Sequence, residues 1–546
     1  MGDAGTLSVL AQDTLTGAGV QTITGAKTFL DTTFKQRNPA NTQTLTWAHP
    51  AITASQNHYM HQPYMFILFK LGSTYYCQNG ITGGVELSGA EPGPVFHYAL
   101  VNAAGLGKIL IKAGTYTFDV VGSGSKPAQI LTLYDNTCME GEGMYNTILV
   151  STSNTAAKNF FTNDDPTNGN SKIILNNFKI DHTLSSNMNT VGLSPIKDIR
   201  ITKMYLKNGA SAHFNFYVSG RRDAGGIPDM WVDNCYIDGC LFESNTSSSW
   251  DNFAGGLIRN SAISNCTFGP SGGSAGFAQR LIYYTTVSNC VAHTSSSSGF
   301  NLESGQNNTF TGCIAHDCAT TGFKNLHIST GGPPVDGFPI AMHYIGCQAW
   351  NNTRGFNLQG HYNVVTGCKA YQNSAHGIDM DSGDYNQIVG NQVYNNGTNT
   401  GLSASFRSGI KLGYTAITGY TYAGKNVVSG NYCFDSQGTA TQTYGISEGA
   451  ATVNNNYIHN NTCWGNTTSP ILKSGANTVA ALNYLTTKYT QTSPLTFSDY
   501  QELTAISAPS SPATGFIRYY PKTIDANNDA LYYKTRLNGA VIEVKV

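Results

Sequence analysis

Three aspartates, Asp379, Asp381 and Asp384, stand within six residues of the stretch HGIDMDSGDYNQIVGNQVYNN (376–396), in a chain of 546 residues with only 32 acidic side chains. Carboxylates in this pattern have several uses. On a strand, residues i and i+2 share a face about 6.5–7 Å apart, a separation that suits glycoside hydrolysis of either stereochemical type. Beside a Lys or His, they suit a lyase or epimerase that abstracts a proton next to a uronate carboxylate. They also bind sugar hydroxyls. In the plainest case they cap backbone N–H groups at a turn, or pair with a charge on the next strand for roughly 0.2–1 kcal/mol. The scaffold that holds them decides among these.

That scaffold is a repeat. A glycine followed by Phe or Ile recurs at Gly276, Gly299, Gly322, Gly355, Gly377, Gly409 and Gly445, with regular intervals of 23, 23 and 22 residues. A second ladder runs through Cys266, Cys290, Cys313, Cys347 and Cys368, and Asn391 is next in register. Its context returns as SNCVAH, TGCIAH, IGCQAW, TGCKAY and VGNQVY. Short alternating runs separated by Gly, Asn and Ser mark strands and turns. Three such runs per repeat predict an all-β, single-stranded parallel solenoid of about 22–24 residues per coil, stacked at ~4.8 Å. The Leu-x-x-Leu-x-Leu pattern of leucine-rich repeats is missing. The cysteine column is expected to fill one inner corner with small buried side chains. No His/Cys spacing matches zinc, so neither metal nor cofactor is expected.

Superimposing the coils sharpens the candidates. Asn357 should lie one coil below Asp379, and Lys411 one coil above. The turn Gly360-His361-Tyr362-Asn363 aligns with Gly383-Asp384-Tyr385-Asn386, which puts His361 beneath Asp384. Insertions at 327–339 and 413–424 follow the same strand, one on each side of the Asn357 and Asp379 coils, and are expected to wall a groove. A third insertion, 396–406, lies on a different turn and need not join it. The catalytic candidates are Asp379, Asp381 and Asp384. The glycan-binding candidates are Asn357, Gln359, His361, Lys411 and the loop residues Tyr414, Tyr420 and Tyr422, since tyrosine offers an apolar face and a polar tip.

Composition removes other classes. Charged residues are 12% of the chain and the net charge is −1, whereas nucleic-acid binding needs a basic face. No stretch approaches ~18 consecutive apolar residues, so no membrane span is expected. The first residues lack the basic start and apolar run of a secretory signal.

Upstream of the coils, VFHYALVNAA (95–104) has helical spacing and is followed by KILIKAGTY (108–116). This resembles the opening of pectate-lyase-like right-handed β-helix proteins, over roughly residues 93 to 471. The resemblance implies a right-handed helix of coils whose open end is capped by the short α-helix. The ends, GVQTITGAKTFLDTTFKQRNPANTQTLTW (19–47) and the hairpin-rich tail 506–546, resemble viral tail fibres and tail spikes. Three segments are therefore expected. They are an N-terminal fibre-like attachment segment (1–92), the β-helix (93–475), and a C-terminal β-hairpin segment suited to trimerisation (476–546). The implied protein is a virion or extracellular adhesin, made without a recognisable secretory signal. It would bind a host glycan as a homotrimer and join other virion proteins through its N-terminal segment. A polysaccharide hydrolase or lyase of the same fold, and a structural filament or surface-layer subunit, are the alternatives. The polygalacturonase motifs Asn-Thr-Asp, Asp-Asp, Gly-His-Gly and Arg-Ile-Lys are absent as written. Alginate-type epimerases carry Tyr-Gly-x-Asp-x-His-Asp. Here Gly377-Ile378-Asp379 is kept, but Asp381 replaces the histidine.

Overall fold

The computed structural model describes residues 64–103, 107–119, 131–151, 158–182, 188–207, 216–222, 228–243, 251–272, 275–327, 339–413, 423–486, 517–525, 528–537 and 540–545. The fibre-like stretch 19–47 lies outside them. Through the repeat region, each coil contributes three short strands, one to each of three parallel sheets. Gln387–Val389 sits between Val364–Thr366 and Val427–Ser429. Gln392–Tyr394 sits between Lys369–Tyr371 and Tyr432–Phe434. Ile378–Ser382 sits between Arg354–Gln359 and Ser408–Leu412. The triplets are short because only the middle residue must face inward. Ile388 and Val393 are buried between more exposed neighbours, and the next turn follows at once.

The core is a set of columns along the solenoid. Phe253, Phe277, Phe300, Phe323 and Phe356 occupy equivalent inward positions. Their rings stack face to face at 5.1 Å (Phe253–Phe277), 4.9 Å (Phe300–Phe323) and 4.8 Å (Phe323–Phe356). Ile378, Ile410 and Ile446 continue the column.

The corners explain the asparagine-rich composition. A tight corner strands backbone N–H and C=O groups away from water, and these must be paired. Asn391 accepts the Cys368 N–H at 2.8 Å and donates to the Val365 carbonyl at 2.9 Å, and its amide also bonds Asn431 of the next coil. Asn431 repeats the arrangement toward Ile388 and Asn461. Parallel ladders run through Asn363, Asn386, Asn426 and Asn456 at the second corner, and through Asn352, Asn373, Asn396 and Gln442 at the third. The cysteine column is the upstream half of the first ladder. Cys313, Cys347 and Cys368 direct their thiols to the carbonyls of Val287, Phe310 and Tyr344, as the asparagines do with their amides. All twelve thiols are buried and free. Burial pushes Cys138 and Cys235 up to about 12, so these sulfurs are inert.

The first coils meet a short meander of antiparallel strands, Tyr64–Leu71, Thr74–Asn79 and Val85–Gly89. The first of these also pairs in parallel with Lys108–Ile111, so one sheet runs across residue 92. The α-helix Pro92–Ala103 buries Val95, Phe96, Ala99, Leu100 and Ala103 on one face. Phe96 sets its ring edge-on to Tyr116 and Phe118. Near the C-terminus, Ile517–Asp525, Asn528–Leu537 and Ala540–Lys545 form an antiparallel sheet of their own. Among the described residues, no helix is long and apolar enough to cross a membrane.

Candidate functional site

The strand Ile378–Ser382 carries the aspartates. Asn357 lies opposite Asp379 on one side and Lys411 on the other, as the coil alignment predicts. The side chains at this register are covered. Asp379 is 1% exposed, and Asn357 and Lys411 are also buried. Burial holds the Asp379 carboxyl above its usual range, and the nearby charges of Lys411 and Arg354 offset this only in part. Arg354 Nε stands 3.4 Å from Asp379 Oδ2, while Asp379 Oδ1 and Asn357 Oδ1 have no hydrogen-bond partner within the protein.

Asp381 is not a plain i+2 neighbour of Asp379. The ladder slips after Leu358, so that Gln359 pairs with Ser382 and Asp381 becomes an extra residue. Such a bulge re-aims one side chain. Gln359 Nε2 donates to Asp381 Oδ2 at 3.0 Å, and Gln359 Oε1 accepts the His327 N–H at 3.0 Å. Gly413 closes over the bulge. A Cβ there would lie 2.8 Å from both the Asp381 Cα and its carbonyl oxygen.

Beyond the bulge, the chain turns. His361 does lie beneath Asp384, and its Nδ1 accepts the Asp384 N–H at 3.1 Å. The Asp384 carboxylate is 3.6 Å from Lys425 Nζ. Tyr414, Tyr420 and Tyr422, and residues 328–338 of the first loop, lie outside the described residues, as do residues 414–422 of the second.

Three residues join the site that the coil alignment passes over. His376 precedes the repeat glycine and is fully buried. Its Nδ1 accepts the Ser408 N–H at 3.2 Å, while Nε2 is buried without a partner. Since Nδ1 is the acceptor, the proton of the neutral ring belongs on Nε2. Burial drives the imidazole well below its ordinary value, and the charges of Lys411 and Arg354 add to the effect. Arg354 holds the same position one coil earlier. Phe406 comes from the insertion 396–406. That insertion does reach the site, because the short 3₁₀ turn Ala404–Phe406 sets the ring 5.0 Å from Lys411 Nζ and 5.9 Å from the His376 ring. A signal for two of the three was present in the sequence. The residue before the repeat glycine is Ser298, Thr321 or Ser408 in neighbouring coils, but Arg354 and His376 in the two coils of the site.

Among the described residues, no group of three His, Cys, Asp or Glu side chains is placed to hold a metal ion. Residues 231–327 match the family described as right handed beta helix region. The fold is a right-handed parallel β-helix. No curated protein matches this β-helix by sequence. Among solved structures, it is similar to the A-modules of two mannuronan C-5 epimerases of Azotobacter vinelandii. For AlgE4 the identity is 16%, with 72% of this chain and 96% of that chain covered and a TM-score of 0.51. For AlgE6 the figures are 17%, 73%, 95% and 0.52. The Dettilon tailspike protein gp208 aligns at 12% identity over 81% of this chain and 72% of its own, with a TM-score of 0.43. At these identities the likeness is one of fold.

Proposed function

We propose that this β-helix is an adhesin of the tail-fibre or tail-spike type, which binds a host-surface glycan on the face around Asp379. The observation that carries the reading is a concentration of polar side chains beside an exposed ring. Asn357, Asp379, Lys411 and His376 form a buried floor beside the half-buried Arg354, and Asn357 Oδ1, Asp379 Oδ1 and His376 Nε2 have no hydrogen-bond partner within the protein. Buried polar groups are normally paired, and leaving one unpaired costs about 1–3 kcal/mol. Asp381, His361 and the Phe406 ring are more open and are the first groups that a glycan meets. Carboxylates and amides suit sugar hydroxyls, and an aromatic ring suits the apolar face of a sugar. Binding is tested with a glycan panel by surface-immobilised titration. Wild type binds at least one host polysaccharide, and Asn357→Ala, Arg354→Gln and Phe406→Ala each weaken it. A protein that binds no member of the panel, or binds equally well in all three variants, rules the reading out.

A second reading is favoured by His376. A neutral imidazole, a carboxyl held above its usual range and two cations together form the set needed to abstract a proton beside a uronate carboxylate. The imidazole that the epimerase pattern places after Asp379 is supplied here by His376, which stands before it. A lyase or epimerase is recognised by unsaturated products or altered uronate stereochemistry after incubation with acidic polysaccharides. Asp379→Asn and His376→Gln should then abolish turnover while retaining binding. If no polysaccharide is altered, binding alone remains.

A further inference from the structure

The corner that follows the strand Ile378–Ser382 has an unusual backbone. At this turn, equivalent residues of successive coils adopt left-handed backbone: Asn307, Ala341, Tyr362, Tyr385, Lys425 and Asn455. Asparagine tolerates that conformation, whereas a bulky side chain is strained there. Tyr362 and Tyr385 nevertheless occupy it, at φ 58° and 60°, with 55% and 47% of their surfaces exposed. Their rings stack at 5.4 Å and 8°. Lys425 Nζ covers the far side of Tyr385 at 5.2 Å, and its ion pair with Asp384 anchors it there.

The two faces of Tyr362 are not equivalent. One rests on Tyr385. The other is turned to the coil below, where Ile340 pairs with His361 and the residue at the turn is Ala341. A methyl group cannot cover a phenol ring, and among the described residues no other ring stacks on Tyr362, since the His361 ring meets it tilted, at 6.2 Å and 51°. One coil further down, the exposed amide of Asn307 follows. Among the described residues, this leaves a notch one rung deep, with an aromatic ceiling, a small floor and a hydrogen-bonding lip.

We propose that this notch is a second carbohydrate subsite, in which the free face of Tyr362 takes the apolar face of a pyranose and Asn307 bonds its hydroxyls. The subsite rests on the glycan-binding reading and names a further part of the same surface. The corner continues the strand that bears Asp379 and Asp381, so one glycan chain reaches both. The Tyr362–Tyr385–Lys425 stack acts as a rigid support, which spares the ordering cost of a lone exposed ring.

The test uses the turn's own chemistry. Tyr362→Asn replaces a strained tyrosine by the residue that the same turn uses at Asn307 and Asn455, so the fold is kept and the melting temperature should not fall. Tyr362→Phe keeps the ring and should bind as wild type does. Against a polysaccharide bound by wild type, Tyr362→Asn should bind about tenfold more weakly, which is the upper range of a single aromatic contact. Wild-type affinity in Tyr362→Asn, with Arg354→Gln still defective, overturns the subsite and leaves the Asp379 face standing. The converse, loss in Tyr362→Asn with Arg354→Gln unaffected, supports the notch and rejects the Asp379 face. A wild-type protein that binds no polysaccharide overturns both.

Discussion

At the level of single residues, burial sets the chemistry. His182 is 1% exposed, has no partner for either ring nitrogen and packs against Phe160. Burial lowers its pKa to about 4. The unfolded chain takes up the proton near 6.5, so the folded state binds fewer protons below that pH. Stability is then intact above about 6.5 and is lost as the pH falls from there toward 4, by at most about 3 kcal/mol. Urea titrations should show that His182→Gln flattens this acid limb. Asp379 works in the opposite direction. Its folded pKa is raised, so the native state holds the proton longer than the unfolded chain does, and stability declines as pH rises above ~3.9. Asp379→Asn should therefore be more stable than wild type at pH 7 and no more stable at pH 3, a difference read from urea titrations at the two values. An equal effect at both values would show that the carboxylate is better paired than its surroundings indicate. None of this was legible in the sequence. The residue types and their coil positions were, but the exposure of an outward-facing position depends on what folds over it.

At the level of elements, the repeat was readable because parallel coils place equivalent residues side by side. Asp379 against Asn357 and Lys411, and His361 beneath Asp384, both followed from alignment. The bulge did not, because it depends on Gln359 choosing Ser382 over Asp381, and the spacing within either strand does not encode that choice. The asparagine ladders lead to a sharper expectation. Asn431 is fully buried, donates to the Ile388 carbonyl and the Asn461 amide, and accepts from the Asn391 N–H and amide. Asn431→Ala strands several of these groups and should cost about 2–4 kcal/mol in denaturant midpoint analysis. Asn431→Cys should cost less, since Cys313, Cys347 and Cys368 make the carbonyl contact with a thiol at the equivalent position.

At the level of the whole molecule, the β-helix is nearly one-dimensional. Each coil touches only its neighbours, so stability accumulates along the stack and open ends must be dealt with. The helix Pro92–Ala103 and the meander Tyr64–Gly89 lie against the first coils. The C-terminal sheet Ile517–Lys545 stands apart from the solenoid's three sheets in its pairing, and a three-stranded unit of that size gains from association. If the fibre-type reading holds, sedimentation at micromolar concentration should give a trimer whose mass falls to that of the monomer when residues 476–546 are deleted. A monomer in the intact chain would count against that reading.

The sequence by itself determined the fold class, the coil length, the inward columns and the coils in which the aspartates lie, because these follow from periodicity and from in-register stacking. Tertiary structure alone decided that Asp379 is buried, that Asp381 is bulged out of its ladder, and that Phe406 and His376 complete the cluster. It also decided that Tyr362 stacks on Tyr385 at a left-handed turn. The reason is physical. Burial, bulging and ring exposure are set by contacts between chain segments, and a repeat pattern records only what each coil has in common with the next.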